Sequence, residues 1–262
     1  MTRVEVARSL INALRSGDAP RSYGFMNAQR LEEDPSGAEV LRVWLDGGFP
    51  LASHSYSHMN LHANSAEDFK VDIDKNEPSL ASLMGDRNWH WFRYPYLREG
   101  NTLGKRRDVR AYLREKGYRI AQVTLDFEDY LWNAPYARCM AKRDIAAIEE
   151  LKASYLKIAT DYIRLGQQLS QLIYGRDVRH TLLLHTGAFN ALMLPGLLEL
   201  LDEMDFQLIT LEEAHSDPAY ESDPNVATER GETLLEQMMI ARRLQFPDIL
   251  EKPYEELQGF CR

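Results

Sequence analysis

Two histidines four residues apart, His54 and His58, lie in the run Ser53-His54-Ser55-Tyr56-Ser57-His58, just after an apolar stretch. One helical turn puts residues at that spacing on the same side, so both imidazoles can meet one metal ion. A pair leaves a zinc site short of a ligand, and two loop histidines without metal are the plain alternative. His62, four further on, is assigned to the solvent side of the next turn. Arg93 closes the strand-like run Trp91-Phe92-Arg93 ahead of Tyr94-Pro95-Tyr96, and its planar fork can hold a carboxylate in a fixed orientation. It can equally be a surface arginine beside aromatic core residues. Asp126, Glu128 and Asp129 follow another strand-like run, where a loop of solvated acids is the alternative. His185 ends the apolar run Thr181-Leu182-Leu183-Leu184 before a break at Gly187. A histidine at the carboxyl end of a strand sits where parallel α/β barrels carry their catalytic groups.

These residues need elements that bring strand ends together. Strand patterns occur at 23–26, 49–54, 91–94, 119–125, 181–185 and 206–210, and helical patterns at 4–14, 37–47, 66–84, 107–116 and 195–204. Their alternation predicts parallel βα units. Six strands fall one or two short of a closed barrel. Residues 144–175 carry a longer apolar stripe, one helix or two, read as a packing element over the barrel. The tail beyond Asp217-Pro218 reads as a loop at 220–224 and a helix at 232–244.

Composition narrows the field. With 44% apolar residues the 262-residue chain can bury a sizeable core, which excludes disorder as its main state. Lys and Arg number 31 against 40 Asp and Glu, a net charge of −9, which argues against a nucleic-acid or anionic-membrane binder. Cys139 and Cys261 are too few for a disulfide framework or a cysteine-rich zinc module, and they do not fix the redox compartment. No window approaches the roughly 20 apolar residues of a membrane span. The opening residues show no signal-peptide hydrophobic stretch.

Taken in order, the four constellations resemble the polysaccharide deacetylase family, also called NodB homology or carbohydrate esterase family four. The resemblance spans about residues 23–211. It implies that His54 and His58 are metal ligands, from a His-Ser-x-x-His motif. It implies that Arg93, Pro95 and Tyr96 form the Arg-x-Pro-Tyr motif, with the arginine orienting the catalytic base and backbone at Tyr96 in the oxyanion site. Asp126 and Asp129 match Asp-x-x-Asp-Trp, with Tyr130 replacing the tryptophan, and Leu183 and His185 match Leu-x-His. The implied fold is an incomplete TIM-like (β/α) barrel of the NodB type, with an added long helical segment and a helical tail. The expected domains are 1–217, with the helical insert, and a C-terminal extension at 218–262.

One departure matters. The family's first motif, Thr-Phe-Asp-Asp-Gly on the first strand, is absent, and the chain contains no Asp-Asp pair. The resemblance gives that motif the general base and the third metal ligand, so the expectation is a chain lacking its first strand at the amino end, with any signal peptide lost alongside. The expected activity is metal-dependent N-deacetylation of N-acetylglucosamine-containing glycans, with zinc as the divalent metal. His185, held cationic by Asp126, would protonate the leaving amine. Leu183 with Trp132 or Tyr130 would line the acetyl pocket, and Tyr56, Tyr94 or Trp132 would stack a sugar. Without the Asp-Asp pair zinc binding and hydrolysis are expected to be weak, Asp46 being the nearest substitute carboxylate in sequence. A hydrolase of small amides, resembling allantoinases, and a catalytically dead carbohydrate-binding homologue are the alternatives. Export of the full-length protein is expected from the resemblance alone.

Overall fold

The structure is a computed structural model, and it describes residues 1–34, 36–247 and 252–262. Four short parallel strands, β1 (Gly24–Met26), β2 (Leu51–Ser53), β3 (Trp91–Phe92) and β4 (Arg119–Ile120), pair in the order β1-β2-β3-β4. Beyond β4 the chain stays extended, and Leu125 forms a parallel bridge to Leu182 that carries the sheet toward His185. The fifth expected strand is thus a single bridge, and residues 206–210 form no strand at all, ending instead in Thr210, which caps the next helix. Among the described residues β1 pairs with β2 alone, so the sheet stops at β1 and the barrel is incomplete.

Helices connect and cover these strands. α1 (Arg3–Ser16) begins with a capping box between Thr2 and Glu5 and packs on α3. α2 (Gln29–Glu33) and α3 (Ser36–Asp46) lead into β2, and α4 (Ala66–Met84) leads into β3. α5 (Leu103–Glu115) starts four residues earlier than its apolar pattern, because the Thr102 side chain caps it by accepting from the Lys105 amide at 3.2 Å. After α6 (Asn133–Lys142), the long stripe proves to be one helix, α7 (Ile145–Tyr174), capped by Asp144 and closed by left-handed Gly175. α7 is a packing element. Its Tyr155 meets Phe127, Trp132 and Phe189 edge-to-face in the core, and its Gly166 allows the backbone onto Leu125, where a Cβ would lie 2.1 Å from the leucine side chain. α8 (Ala188–Glu203) starts directly after Gly187, so Pro195 falls inside it rather than at its start. α9 (Leu211–Ala214), α10 (Leu234–Arg242) and α11 (Tyr254–Gly259) complete the chain.

The tail is fastened to the barrel. Fully buried Arg106 of α5 contacts Glu99 at 3.0 Å and Asp223 at 2.6 Å, Arg110 joins both acids, and the Leu234 amide donates to the Val123 carbonyl at 2.7 Å. The two cysteines, unassigned from sequence, are joined as Cys139–Cys261, tying the chain end to α6. Among the described residues no helix is long and apolar enough to cross a membrane.

Candidate active site at the carboxyl ends of the strands

His54 follows β2, but the segment to His58 is not helical. Left-handed Ser55 (φ 60°) and His58 (φ 58°) fold it into a tight loop that still brings the two imidazoles to a centroid separation of 4.7 Å. Neighbouring elements hold this loop from below. Asp72 of α4 accepts from the Ser57 amide and hydroxyl at 3.1 and 2.8 Å. Asn76, one turn further and fully buried, accepts from the Ala28 amide and donates to the Met26 carbonyl and the Ser53 hydroxyl. Asn27 donates to the carbonyls of His54 and Ser55. None of the three stood out in the sequence, although Asp72 and Asn76 at helical spacing among apolar neighbours are the kind of buried polar pair that a loop would need.

The protonation of His54 is fixed by its partner. Its Nδ1 lies 2.7 Å from the Arg93 carbonyl, which can only accept, so Nδ1 carries the hydrogen and Nε2 presents a lone pair. Burial, then the neighbouring His58, pulls its pKa down to about 3, and burial followed by the field of His185 lowers that of His58. Both rings are therefore neutral donors of the kind zinc takes. His62 belongs elsewhere: it is half-buried rather than turned to solvent, and its Nε2 accepts from the Gly100 amide at 3.3 Å. Among the described residues no group of three His, Cys, Asp or Glu side chains is placed to hold a metal ion. The donor set fits half of a metal site and does not complete it.

His185 is oriented by Asp129, not by Asp126 as the motif order suggests. Fully buried Asp129 accepts from His185 Nδ1 at 2.6 Å, from the His185 amide at 2.7 Å and from Asn190 at 2.7 Å. Burial works against the imidazolium, but the Asp129 hydrogen bond and the charges of Asp129 and Asp126 outweigh it, so the His185 pKa is raised. Asp126 instead closes an Asx turn, accepting from the Glu128 amide at 2.8 Å. Its carboxyl is pushed up by burial, partly offset by Lys252. The reason for the exchange lies in the chain path: left-handed Glu128 (φ 56°) opens the 3₁₀ turn Asp129–Trp132, which turns Asp129 inward beneath His185.

Arg93 is 5% exposed, donates through Nε to the Ala121 carbonyl at 3.2 Å and stacks 4.4 Å above the Phe25 ring. Burial lowers its pKa to about 10, and the field of Asp126 works the other way. The fields of His185 on His54 and His58, and of Arg93 on His54 and His185, put these groups in one electrostatic neighbourhood.

Tyr96, left-handed at φ 58° and 53% exposed, stands edge-on to His58 at 4.4 Å, and Tyr130, 45% exposed, stands edge-on to His185 at 4.9 Å. Leu183 is half-buried, its amide bonded to the Leu125 carbonyl at 3.0 Å. Trp132 and Tyr94 do not reach the surface: they are 0% and 2% exposed, because each lies in an aromatic core cluster. Asp46 is exposed at the end of α3, ahead of β2 and so at the opposite end of the strand from His54.

Residues 3–121 match the model of the polysaccharide deacetylase family. A chitin deacetylase from Arthroderma benhamiae is 24% identical over 106 residues, 40% of this chain and 27% of that protein. The fold is that of a family 4 carbohydrate esterase pseudoenzyme from Bacillus anthracis (TM-score 0.56, 14% identity, 80% of this chain and 60% of that one). It is also that of a family 4 carbohydrate esterase from Streptomyces lividans solved with acetate (TM-score 0.50, 22% identity, 80% and 88%). The chain spans about a quarter of the curated relative. The family match covers less than half of the chain, and the solved structures share its fold.

Proposed function

We propose that this chain is the NodB-type domain of a metal-dependent N-deacetylase of N-acetylglucosamine-containing glycans, that residues 1–217 form the catalytic unit, and that 218–262 are an extension closing over it. The observation that carries the reading is the Asp129–His185 couple standing in the same field as the neutral His54–His58 pair. In this reading His54 and His58 face the metal. With two neutral ligands and no third metal-ligating group among the described residues, the expected zinc affinity is low.

The couple supplies the acid. With Nδ1 committed to Asp129, the other end of the ring, Nε2, is left to give its proton to the departing amine, which leaves poorly without one. A backbone N–H near Tyr96 would face the oxyanion. Leu183 and exposed Tyr130, rather than core-bound Trp132, would line the acetyl methyl, and Tyr96 and Tyr130 would stack on sugar rings flanking the site. The Asp-Asp pair, which this sequence does not contain, would supply a proton acceptor worth on the order of a hundredfold to ten-thousandfold in rate. The Cys139–Cys261 pair fits an oxidising compartment, which supports an exported protein.

The test is acetate release from N-acetylated chito-oligosaccharides, with zinc content measured alongside, for this chain and for His185→Ala and His54→Ala. Slow release that zinc stimulates, and that His185→Ala lowers at least about a hundredfold, is the expected result. Glycan binding without any release would favour the carbohydrate-binding homologue, and preferential hydrolysis of a small cyclic amide would favour the allantoinase-like reading.

A further inference from the structure

We infer that one internal water molecule is bound in a small cavity between the loop that carries Tyr96, the chain beyond β4 and the tail, and that it fastens the three together. The cavity measures about 10 Å³ and has Tyr94, Gln122 and Glu232 in its lining, with Leu97 and Val123 among its apolar walls. Space of that order holds about one water. Among the described residues, three enclosed polar atoms of this lining have no partner: the Tyr94 hydroxyl, Gln122 Nε2 and Glu232 Oε2. Tyr94 and Gln122 are only 2% and 8% exposed. A buried donor or acceptor left unpaired costs about 1–3 kcal/mol, which an ordered water bonded to it recovers.

The surrounding backbone holds these atoms in place. Tyr94 opens the turn Pro95–Leu97, and its carbonyl accepts from the Leu97 amide at 3.1 Å. Glu232 is fixed at both ends: its carbonyl accepts from buried Gln237 at 3.0 Å, and its Oε1 accepts from the Arg230 amide at 3.2 Å. The other acid in the lining, Glu99, is already engaged by Arg106, Arg110 and Gln237. The chemistry of the three atoms then selects the occupant. Gln122 Nε2 donates, so a cation cannot satisfy it, and Glu232 Oε2 accepts, so an anion is turned away. A water does both.

It accepts from Gln122 Nε2, donates to Glu232 Oε2 and shares a third bond with the Tyr94 hydroxyl, which matches the roughly three bonds of a typical buried water. Burial keeps the Tyr94 phenol protonated, so its hydroxyl can serve as donor or acceptor. The water thus joins loop, strand end and tail one residue from Gly231, whose backbone packs directly against the Tyr96 carbonyl. This inference does not rest on the deacetylase reading, and its failure would leave that reading untouched.

The experiment records water-selective NOE and ROE spectra of the ¹⁵N-labelled full chain. A water that tumbles with the protein gives cross-peaks of opposite sign in the two spectra, whereas proton exchange gives the same sign. The side-chain amide protons of Gln122 are expected to show the opposite-sign pattern. Tyr94→Phe and Glu232→Met each remove one partner and should shorten the residence of the water about fivefold, the factor that one hydrogen bond of about 1 kcal/mol carries, with a weaker cross-peak. The two changes lie in different elements, so one serves if the other does not fold. A folded wild-type chain without an opposite-sign cross-peak at Gln122 overturns the proposal, as does an undiminished cross-peak in the folded variants. A Gln122 amide shift that saturates on titration with potassium or ammonium chloride would mean that an ion fills the cavity, and it overturns the proposal too.

Discussion

Replacing Asp129 by asparagine isolates the couple on which the proposed acid depends. The carboxylate is fully buried and receives three donors: His185 Nδ1, the His185 amide and Asn190 Nδ2, all within 2.7 Å. Asparagine keeps the volume but puts an NH₂ group where one oxygen stood, so at least one donor faces another donor. Hydrogen bonds to charged groups are worth about 1.5–3 kcal/mol each, and a buried unsatisfied donor costs about 1–3. The expected loss of stability is about 2–4 kcal/mol, read from urea unfolding. The loss should depend on pH. The folded His185 pKa lies above its unfolded value of about 6.5. Its stabilisation is therefore fully present below about pH 6.5 and fades as pH rises through the folded value. The gap between wild type and Asp129→Asn should be widest in acid and narrow toward alkaline pH. NMR titration of the imidazoles should show the His185 pKa falling in Asp129→Asn and falling less in Asp126→Asn, which removes only a distant charge. If Asp126→Asn moves His185 more, or Asp129→Asn leaves it in place, the assignment of the couple is wrong.

Other perturbations separate the remaining parts. Asn76→Leu strips partners from the Ala28 amide and the Met26 carbonyl and should cost about 2–4 kcal/mol in a denaturant midpoint series, with broadened His54 and His58 NMR signals. Gly231→Ala would place a Cβ 1.8 Å from the Tyr96 carbonyl oxygen, so the Tyr96 loop must shift; a loss of about 1–3 kcal/mol and a changed Tyr96 ring environment by NMR are expected. Cys139→Ser/Cys261→Ser opens a bridge between residues 122 apart and should lower unfolding stability by about 2–5 kcal/mol, while the wild-type protein under reductant falls to the same value. Equal stability of oxidised and reduced protein would mean the bridge does not form in solution.

The parts of the site legible in sequence were those set by strand ends. His54, Arg93 and His185 each close an apolar run, and a parallel arrangement delivers such positions to one end of a sheet. The order of strands was legible for the same reason. What pattern could not give was the length of each strand: the 206–210 run is apolar, yet its chain leads into a helix cap at Thr210 instead of pairing. Nor could it choose between Asp126 and Asp129, two acids three residues apart in one turn. That choice rests on the left-handed residue between them, Glu128, whose side chain gives no hint of its φ. The aromatic residues sorted likewise, Tyr94 and Trp132 inward and Tyr96 and Tyr130 outward, by turn geometry rather than residue type.

Those turns explain why so many buried polar side chains lie under the site. Ser55, His58, Tyr96, Leu97 and Glu128 are five of the eleven non-glycine residues at positive φ among those described, and all lie on the three loops that carry the imidazoles and their flanking aromatics. Each left-handed residue costs about 1–2 kcal/mol relative to ordinary backbone, so a loop with two of them would relax unless it is held. The fasteners are specific: Asp72, Asn76 and Asn27 for the histidine loop, and Gly231 packed against the carbonyl of Tyr96 for the aromatic loop. Around Glu128, the Tyr254 hydroxyl and Lys252 engage its carboxylate from the tail. Two of the three strained loops are therefore braced by residues beyond 217, which gives the C-terminal extension a mechanical role in the site whether or not the tail ever touches substrate.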